Sequence, residues 1–267
     1  MSITQKLKKG AAWTLGRALP IQKNKVVFSS FYGRGASDNP KAIVDALAQR
    51  PEKLDIVWLA KDPAHAGVPD NVRVVPYDTP AAIRELSTAR VWVDNCRKGA
   101  HVKKDGQYYM QTWHGFALKR IERDVADKLN TPENAAYAEY AKRDSAQIDA
   151  IISNSTFMTE IYQKSFWYHG AVLEYGSARN DILVHPPADA KHQVQQALHL
   201  PNDCQIIMYA PTFRADHSLD AYQLDYQAVC RACAQRFGGN WVMLVRLHPN
   251  VMKLAKDLKF DNRTTFD

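Results

Sequence analysis

Cysteine is scarce in this 267-residue chain, occurring only at positions 96, 204, 230 and 233. Four scattered thiols cannot staple a chain of this length, so a disulfide framework is excluded and a reducing compartment is the simpler setting. Cys230 and Cys233 have CxxC spacing, but without a second pair they read as packing on one helix, not as a metal or redox site. Long apolar runs are missing too: no stretch approaches the roughly 18 residues that a membrane-spanning helix needs. Gly16 and Arg17 interrupt the apolar segment Ala11–Leu19 and no small-residue cleavage site follows, so no secretory signal is expected. The chain has neither a Walker GKS/GKT loop nor a GxGxxG fingerprint. It also lacks RNP, zinc-finger and helix-turn-helix signatures, so nucleic acid is not an expected partner.

Acidic residues are absent from the first 37 positions, where Lys6, Lys8, Lys9, Arg17, Lys23, Lys25 and Arg34 stand uncompensated. That segment carries the whole net charge of +7. Residues 2–19 show helical apolar spacing at Ile3, Leu7, Ala11, Leu15 and Leu19 beside lysines. This favours a basic amphipathic segment, residues 1–24, lying on an anionic membrane surface with Trp13 as an interfacial anchor. A helix docked on its own domain is the alternative.

Hydrophobic residues make up 46% and charged residues 24%, ordinary values for a chain with a sizeable core. From Lys25 onward short apolar runs alternate with helical stretches. Strands are expected at Val26–Phe31, Asp55–Ala60, Val72–Val75, Val91–Asp94, Tyr108–Thr112 and Ala150–Ser153, with helices at Asn39–Arg50, Thr79–Ala89, Pro132–Asp149 and Ser155–Ser165. This alternation predicts a doubly wound α/β sheet over residues 25–166. A second unit, 167–267, is expected to hold strands at Ala171–Tyr175, Gln205–Tyr209 and Trp241–Leu247 with helices at Ala188–Leu200 and Ala221–Phe237. Five or six strands complete a Rossmann-type half, so this one reads as partial.

Four segments carry more polar specificity than a core requires. Residues 29–40 form a polar, Gly-containing strand-to-helix loop able to present backbone N–H groups. Asn95-Cys96-Arg97 precedes the segment Gln111-Thr112-Trp113-His114-Gly115, which puts His114 where a strand gives way to glycine. An imidazole of ordinary pKa, about 6.5, can accept a hydroxyl proton at neutral pH. Nearby Arg97, Lys98, Lys103, Lys104, Lys119 and Arg120 suit an anionic substrate. Tyr209–Arg214 and Arg246–Asn250 each end a strand with a proline turn, bringing Arg214, Arg246 and His248 to the edge where α/β sheets bind ligands. Three such groups together favour a phosphate site.

The segments SDNPKAI (37–43), QTWHG (111–115), SNSTF (153–157), RND (179–181), YAPTFR (209–214) and RLHPN (246–250), in this order, resemble the CDP-glycerol glycerophosphotransferases of teichoic-acid and related poly(alditol phosphate) synthesis. The resemblance runs from about Val26 to Asn250. It implies a GT-B-like pair of Rossmann domains, a peripheral position on the cytoplasmic face of the bacterial plasma membrane, and transfer of glycerol or ribitol phosphate from a CDP-alditol to a hydroxyl of a lipid-linked acceptor. It implies His114 as general base and His248 as assistant at the donor phosphate. Trp113, Gly115, Arg179, Asn180, Asp181, Thr212, Arg214, Arg246 and Asn250 are then substrate-binding residues, with no metal or cofactor. Two departures stand out. Gly176-Ser177-Ala178 replaces the usual proline before Arg-Asn-Asp, and similar proteins continue beyond RLHPN into an Asp-Tyr-Ser-Ser-like motif. The second half is therefore expected to be cut short, with poor binding of CDP-glycerol by the chain alone. The competing readings are a GT-B nucleotide-sugar glycosyltransferase and an inactive membrane-associated fragment.

Overall fold

The computed structural model describes residues 3–98, 101–128, 131–212, 218–247, 251 and 264–266. The expected Arg214, His248 and Asn250 lie outside these residues. The chain forms two compact units, residues 1–185 and 186–267.

The first unit begins with α1 (Ile3–Ala18) and β1 (Gln22–Ser29), followed by α2 (Asp38–Ala48), β2 (Asp55–Ala60), β3 (Arg73–Pro76), α3 (Pro80–Thr88) and β4 (Ala89–Asp94). It continues through β5 (Tyr108–Gln111), α4 (Arg123–Ala126), α5 (Pro132–Ser145), β6 (Ala150–Ile152), α6 (Thr156–Ser165), β7 (Ala171–Leu173) and α7 (Asp181–Val184). The strands form one seven-stranded sheet in the order β3-β2-β1-β4-β5-β6-β7. Every pairing in it is parallel.

Both faces of this sheet are buried, which is why its strands read as continuous apolar runs. Successive residues point to opposite sides. Val27, Val57, Leu59 and Trp92 enter one core with Tyr109, Met158 and Phe166, while Phe28, Ile56, Trp58 and Val93 enter the other with Val44. The chain order reverses between β1 and β4, and the crevice at the carboxyl ends of those strands is where such sheets take ligands.

Two expectations are corrected here. The strand expected to open the second unit, Ala171–Tyr175, pairs as β7 with β6 on the first sheet, Ala150 facing Ala171. Trp13 turns inward rather than toward a bilayer, packing against the first core with its ring 5.0 Å from that of His101. Helix α1 lies on α3 at Gly16, where a Cβ would collide with the Ser87 side chain. Lys104 Nζ donates to the carbonyl of Leu19 at 2.6 Å, capping the end of the segment.

The second unit contains α8 (Ala190–Ala197), β8 (Cys204–Tyr209), α9 (Tyr226–Phe237), β9 (Asn240–Val245) and β10 (Thr264–Phe266). Its three strands run parallel in the order β10-β9-β8. Strand β10 lies beyond the last strand expected from the sequence. Cys230 is buried on α9 against Tyr222, Tyr226 and Met243.

Candidate active site

The ends of β1, β4 and β5 bring three loops together. Strand β4 ends at Asp94, whose buried carboxylate accepts from the Cys96 N–H at 2.9 Å and forms an ion pair with the buried Lys98 Nζ at 2.6 Å. Ser29, at the end of β1, donates to the same carboxylate and accepts from Lys98 at 2.9 Å. This fixes the course of residues 94–98 and so the carbonyl of Asn95. His114 Nδ1 lies 2.6 Å from that carbonyl. A carbonyl can only accept, so Nδ1 carries a proton, and whenever the ring is neutral its lone pair is on Nε2.

The same histidine is held from its backbone side. Arg179 Nη1 donates to the His114 carbonyl at 3.0 Å and to Asp38 Oδ1 at 2.5 Å. The other oxygen of Asp38 accepts from Asn95 Nδ2 at 2.7 Å, and Asn95 Oδ1 accepts from the Phe31 N–H at 2.9 Å. Asn39 completes the ring of contacts, donating to the carbonyls of Thr112 and Trp113 and accepting from the Arg179 N–H at 3.2 Å. Asp38 is therefore a hub whose two oxygens reach both supports of His114. Its side chain is only 4% exposed.

This arrangement is held under backbone strain. Phe31 (φ 43°), Tyr32 (φ 57°), Asp38 (φ 63°) and Trp113 (φ 51°) all adopt the left-handed region, four of the eight non-glycine residues that do so among those described. Gly33 (φ 78°) is required for a second reason, since a Cβ there would come within 2.5 Å of the Tyr77 ring. The Trp113 ring stacks on His114 with centroids 4.4 Å apart and meets Phe166 edge-on at 4.6 Å. At Gly115 a Cβ would meet nothing within 4 Å, so the site is open there.

Cys96 Sγ lies 3.9 Å from His114 Nδ1, which invites a Cys–His nucleophile reading. The chemistry rejects it. Burial, with Asp94 adding to it, pushes the thiol up to about 12, so no thiolate is available near neutral pH. The Nδ1 that would have to take its proton is already a donor to Asn95.

The basic run expected to meet an anionic substrate divides in two. Arg97 is buried, donating to Glu122 at 2.8 Å, Asp144 at 3.2 Å and Ser145 Oγ at 3.0 Å. Lys98 is bound as above, Lys103 pairs with Asp149 and Lys104 caps α1. These four are structural because each has a carboxylate or carbonyl partner in the fold. Lys119 and Arg120 remain exposed. Of the RND segment, Arg179 joins the His114 network while Asn180 and Asp181 are exposed. In the second unit Thr212 and Arg246 lie exposed just beyond β8 and β9. No group of three or more His, Cys, Asp or Glu that could hold a metal occurs among the described residues.

Asp38, Asn39 and Asn95 were not singled out as site residues from the sequence. Their signal was present in residue type and place. Asp38 and Asn39 open α2 after the polar loop that follows β1, and Asn95 follows β4; short polar side chains at such places bind neighbouring main chain, and Asp38 does so from left-handed backbone.

The profile of the CDP-Glycerol:Poly(glycerophosphate) glycerophosphotransferase family matches residues 12–266. The teichoic acid poly(glycerol phosphate) polymerase of Staphylococcus epidermidis is 31% identical over 235 residues, covering 85% of this chain and 33% of that protein. The teichoic acid glycerol-phosphate transferase of Staphylococcus aureus is 31% identical over 236 residues, covering 85% of this chain and 60% of its own length. The solved structure of the wall teichoic acid polymerase TagF superposes with a TM-score of 0.81 at 27% identity, over 100% of this chain and 70% of that one. A TagF variant soaked with CDPG aligns with a TM-score of 0.80 at 26% identity, over 99% of this chain and 70% of that one. The chain thus spans a third to three fifths of the curated relatives named here. With the profile match running over nearly all of its length, it belongs to the CDP-glycerol:poly(glycerophosphate) glycerophosphotransferase family.

Proposed function

We propose that the protein takes part in transfer of glycerol phosphate from CDP-glycerol to an acceptor hydroxyl, releasing CMP, with the first unit supplying the base. The observation that carries this reading is the His114 Nδ1 contact with the Asn95 carbonyl, which leaves Nε2 as the acceptor of the neutral ring. In the reaction the acceptor oxygen bonds to the glycerol-bearing phosphorus while its proton passes to His114 Nε2. The bond from that phosphorus to the bridging oxygen breaks, and CMP leaves with the electron pair. The transferred group stays anionic throughout, so nearby cations stabilise it. Arg246 and Thr212, with Arg214, His248 and Asn250, are proposed to engage the donor in the second unit. The TagF variant soaked with CDPG supports CDP-glycerol as that donor; ribitol phosphate is the other alditol to test.

The finer architecture belongs to the same proposal: a GT-B-like pairing of two Rossmann-type units, with a lipid-linked acceptor approached from the cytoplasmic membrane face. No described helix is long and apolar enough to cross a membrane. Peripheral contact is supported by Leu118, which is 88% exposed, and by Phe116 stacked on Phe157 with centroids 5.1 Å apart, beside Lys119 and Arg120. From α1, Leu15 remains outward at 71% exposure. The test is nucleotide release from CDP-glycerol, CDP-ribitol and a nucleotide sugar in the presence of acceptor. CMP release from a CDP-alditol, lowered by orders of magnitude in His114→Ala, is the expected result; UDP or GDP release instead would replace the reading with sugar transfer.

A further inference from the structure

One face of α2 is left outside the core. Residues 38, 41, 42, 45, 46 and the following Gln49 recur at the helical spacing of a single stripe, while Val44 and Leu47 fill the core on another side. The stripe alternates long polar side chains with Ala42 and Ala46. Small residues at those positions leave a groove of about 450 Å³ between α2 and the segment Ala178–Ile182, with Arg179, Asp181 and Ile182 as the opposite wall. That volume suits a ligand of one sugar or a few alditol units.

The charges decide what kind of ligand. Lys41 is paired with Asp45, and Arg179 with Asp38. Two internally neutralised pairs leave Asp181 as the one remaining charge of the lining, so the groove is net negative by a single carboxylate. A phosphate would be repelled, whereas vicinal hydroxyls donate well to carboxylates and to the amide of Gln49. The groove is also joined to the base. Asp38 and Arg179 line it, and through Asn95 and the His114 carbonyl these two side chains hold the histidine.

We propose that this groove is a binding site for a neutral, hydroxyl-rich group such as a sugar ring of the acceptor, coupled to His114 through Asp38 and Arg179. The proposal rests on the transfer reading for the identity of the acceptor, but not for the binding itself. Occupancy reaches the base without touching it, because any shift of Arg179 is felt at the His114 carbonyl.

The experiment is an NMR titration of the full chain with methyl β-glucoside, and in parallel with inorganic phosphate. Saturable shifts at the amides of residues 41–49 and 178–182 are expected, accompanied by a shift of the His114 ring signals. Asp181→Asn and Gln49→Ala, both exposed and outside the His114 network, should each weaken the glucoside about tenfold, the loss expected of one charge-assisted or amide hydrogen bond. Absence of saturation, or tighter binding of phosphate than of the glucoside, overturns the site. Groove shifts without any His114 response overturn the coupling. CMP release is measured separately: if it persists while the glucoside fails to bind, the groove falls and the transfer reading stands, and glucoside binding without CMP release reverses that outcome.

Discussion

Among the described residues, the first unit contains every buried polar or charged side chain except Gln195, whereas the second unit's clusters are built from Tyr222, Tyr226, Cys230, Met243, Val245 and their apolar neighbours. Burying polar groups costs free energy unless each finds a partner, and an incomplete network is worse than an apolar core. In the first unit the ion-paired groups have theirs, Ser29 with Asp94 and Lys98, and Arg97 with Glu122 and Asp144, while Arg97 Nε, Ser87 Oγ and Ser165 Oγ are buried without one. In the second, the exposed Thr212 and Arg246 follow strands with apolar ends. The contrast sets a buried polar network around His114 in one unit against exposed polar groups at the strand ends of the other.

The sharpest way to break that contrast is to remove one residue from each side. His114→Ala should lower CMP release by roughly 10²–10⁴-fold, the span of a lost general base, with little change in donor affinity. Arg246→Ala should instead weaken donor binding, read by calorimetry against CDP-glycerol. Equal effects of both variants on the same parameter would erase the division.

Stability should divide in the same way. Arg97→Ala strands the buried Glu122 and Asp144, which are 4% and 0% exposed, and should cost about 3–5 kcal/mol in urea denaturation of the first unit. Cys230→Ser, with a hydroxyl in place of a thiol in the second unit's small apolar cluster, should cost less.

The packing of α1 can be read from pH. His101 is held neutral, its pKa lowered to about 3 chiefly by burial, with Lys98 adding to it. The folded-state value lies below the unfolded one, so as pH falls from about 6.5 toward 3 the unfolded chain takes up a proton that the folded chain refuses. Stability should drop over that window by on the order of a few kcal/mol, and His101→Gln should flatten the slope. The smallest effect is expected of Thr79→Ala, which removes the N-cap that accepts from Ala82 N–H at 3.2 Å, about 1 kcal/mol.

Much of the fold was legible because buried parallel strands carry their signal locally. Asp55–Ala60 was found residue for residue, and the α2, α3 and α6 helices within a few positions, each marked by proline or a Ser/Thr cap at its start. The membership of Ala171–Leu173 was not legible, since an apolar triplet does not say which sheet it joins. Nor was the docking of Trp13, because a stripe that faces lipid and one that faces α3 have the same period. His114 stood out by its place before Gly115. Of its supports only Arg179 was named, as a substrate-binding residue, since Asp38, Asn95 and Arg179 come together only when three loops separated by tens of residues converge at the strand ends.

The central claim is that His114 is a single-tautomer base, and the ¹⁵N-detected imidazole spectrum of the full chain near neutral pH tests it most directly. A protonated Nδ1 with an unprotonated Nε2, changed in Asp38→Ala as the network loosens, is the predicted result. A neutral ring protonated on Nε2, the tautomer that predominates in free histidine, or a mixture of the two would contradict it.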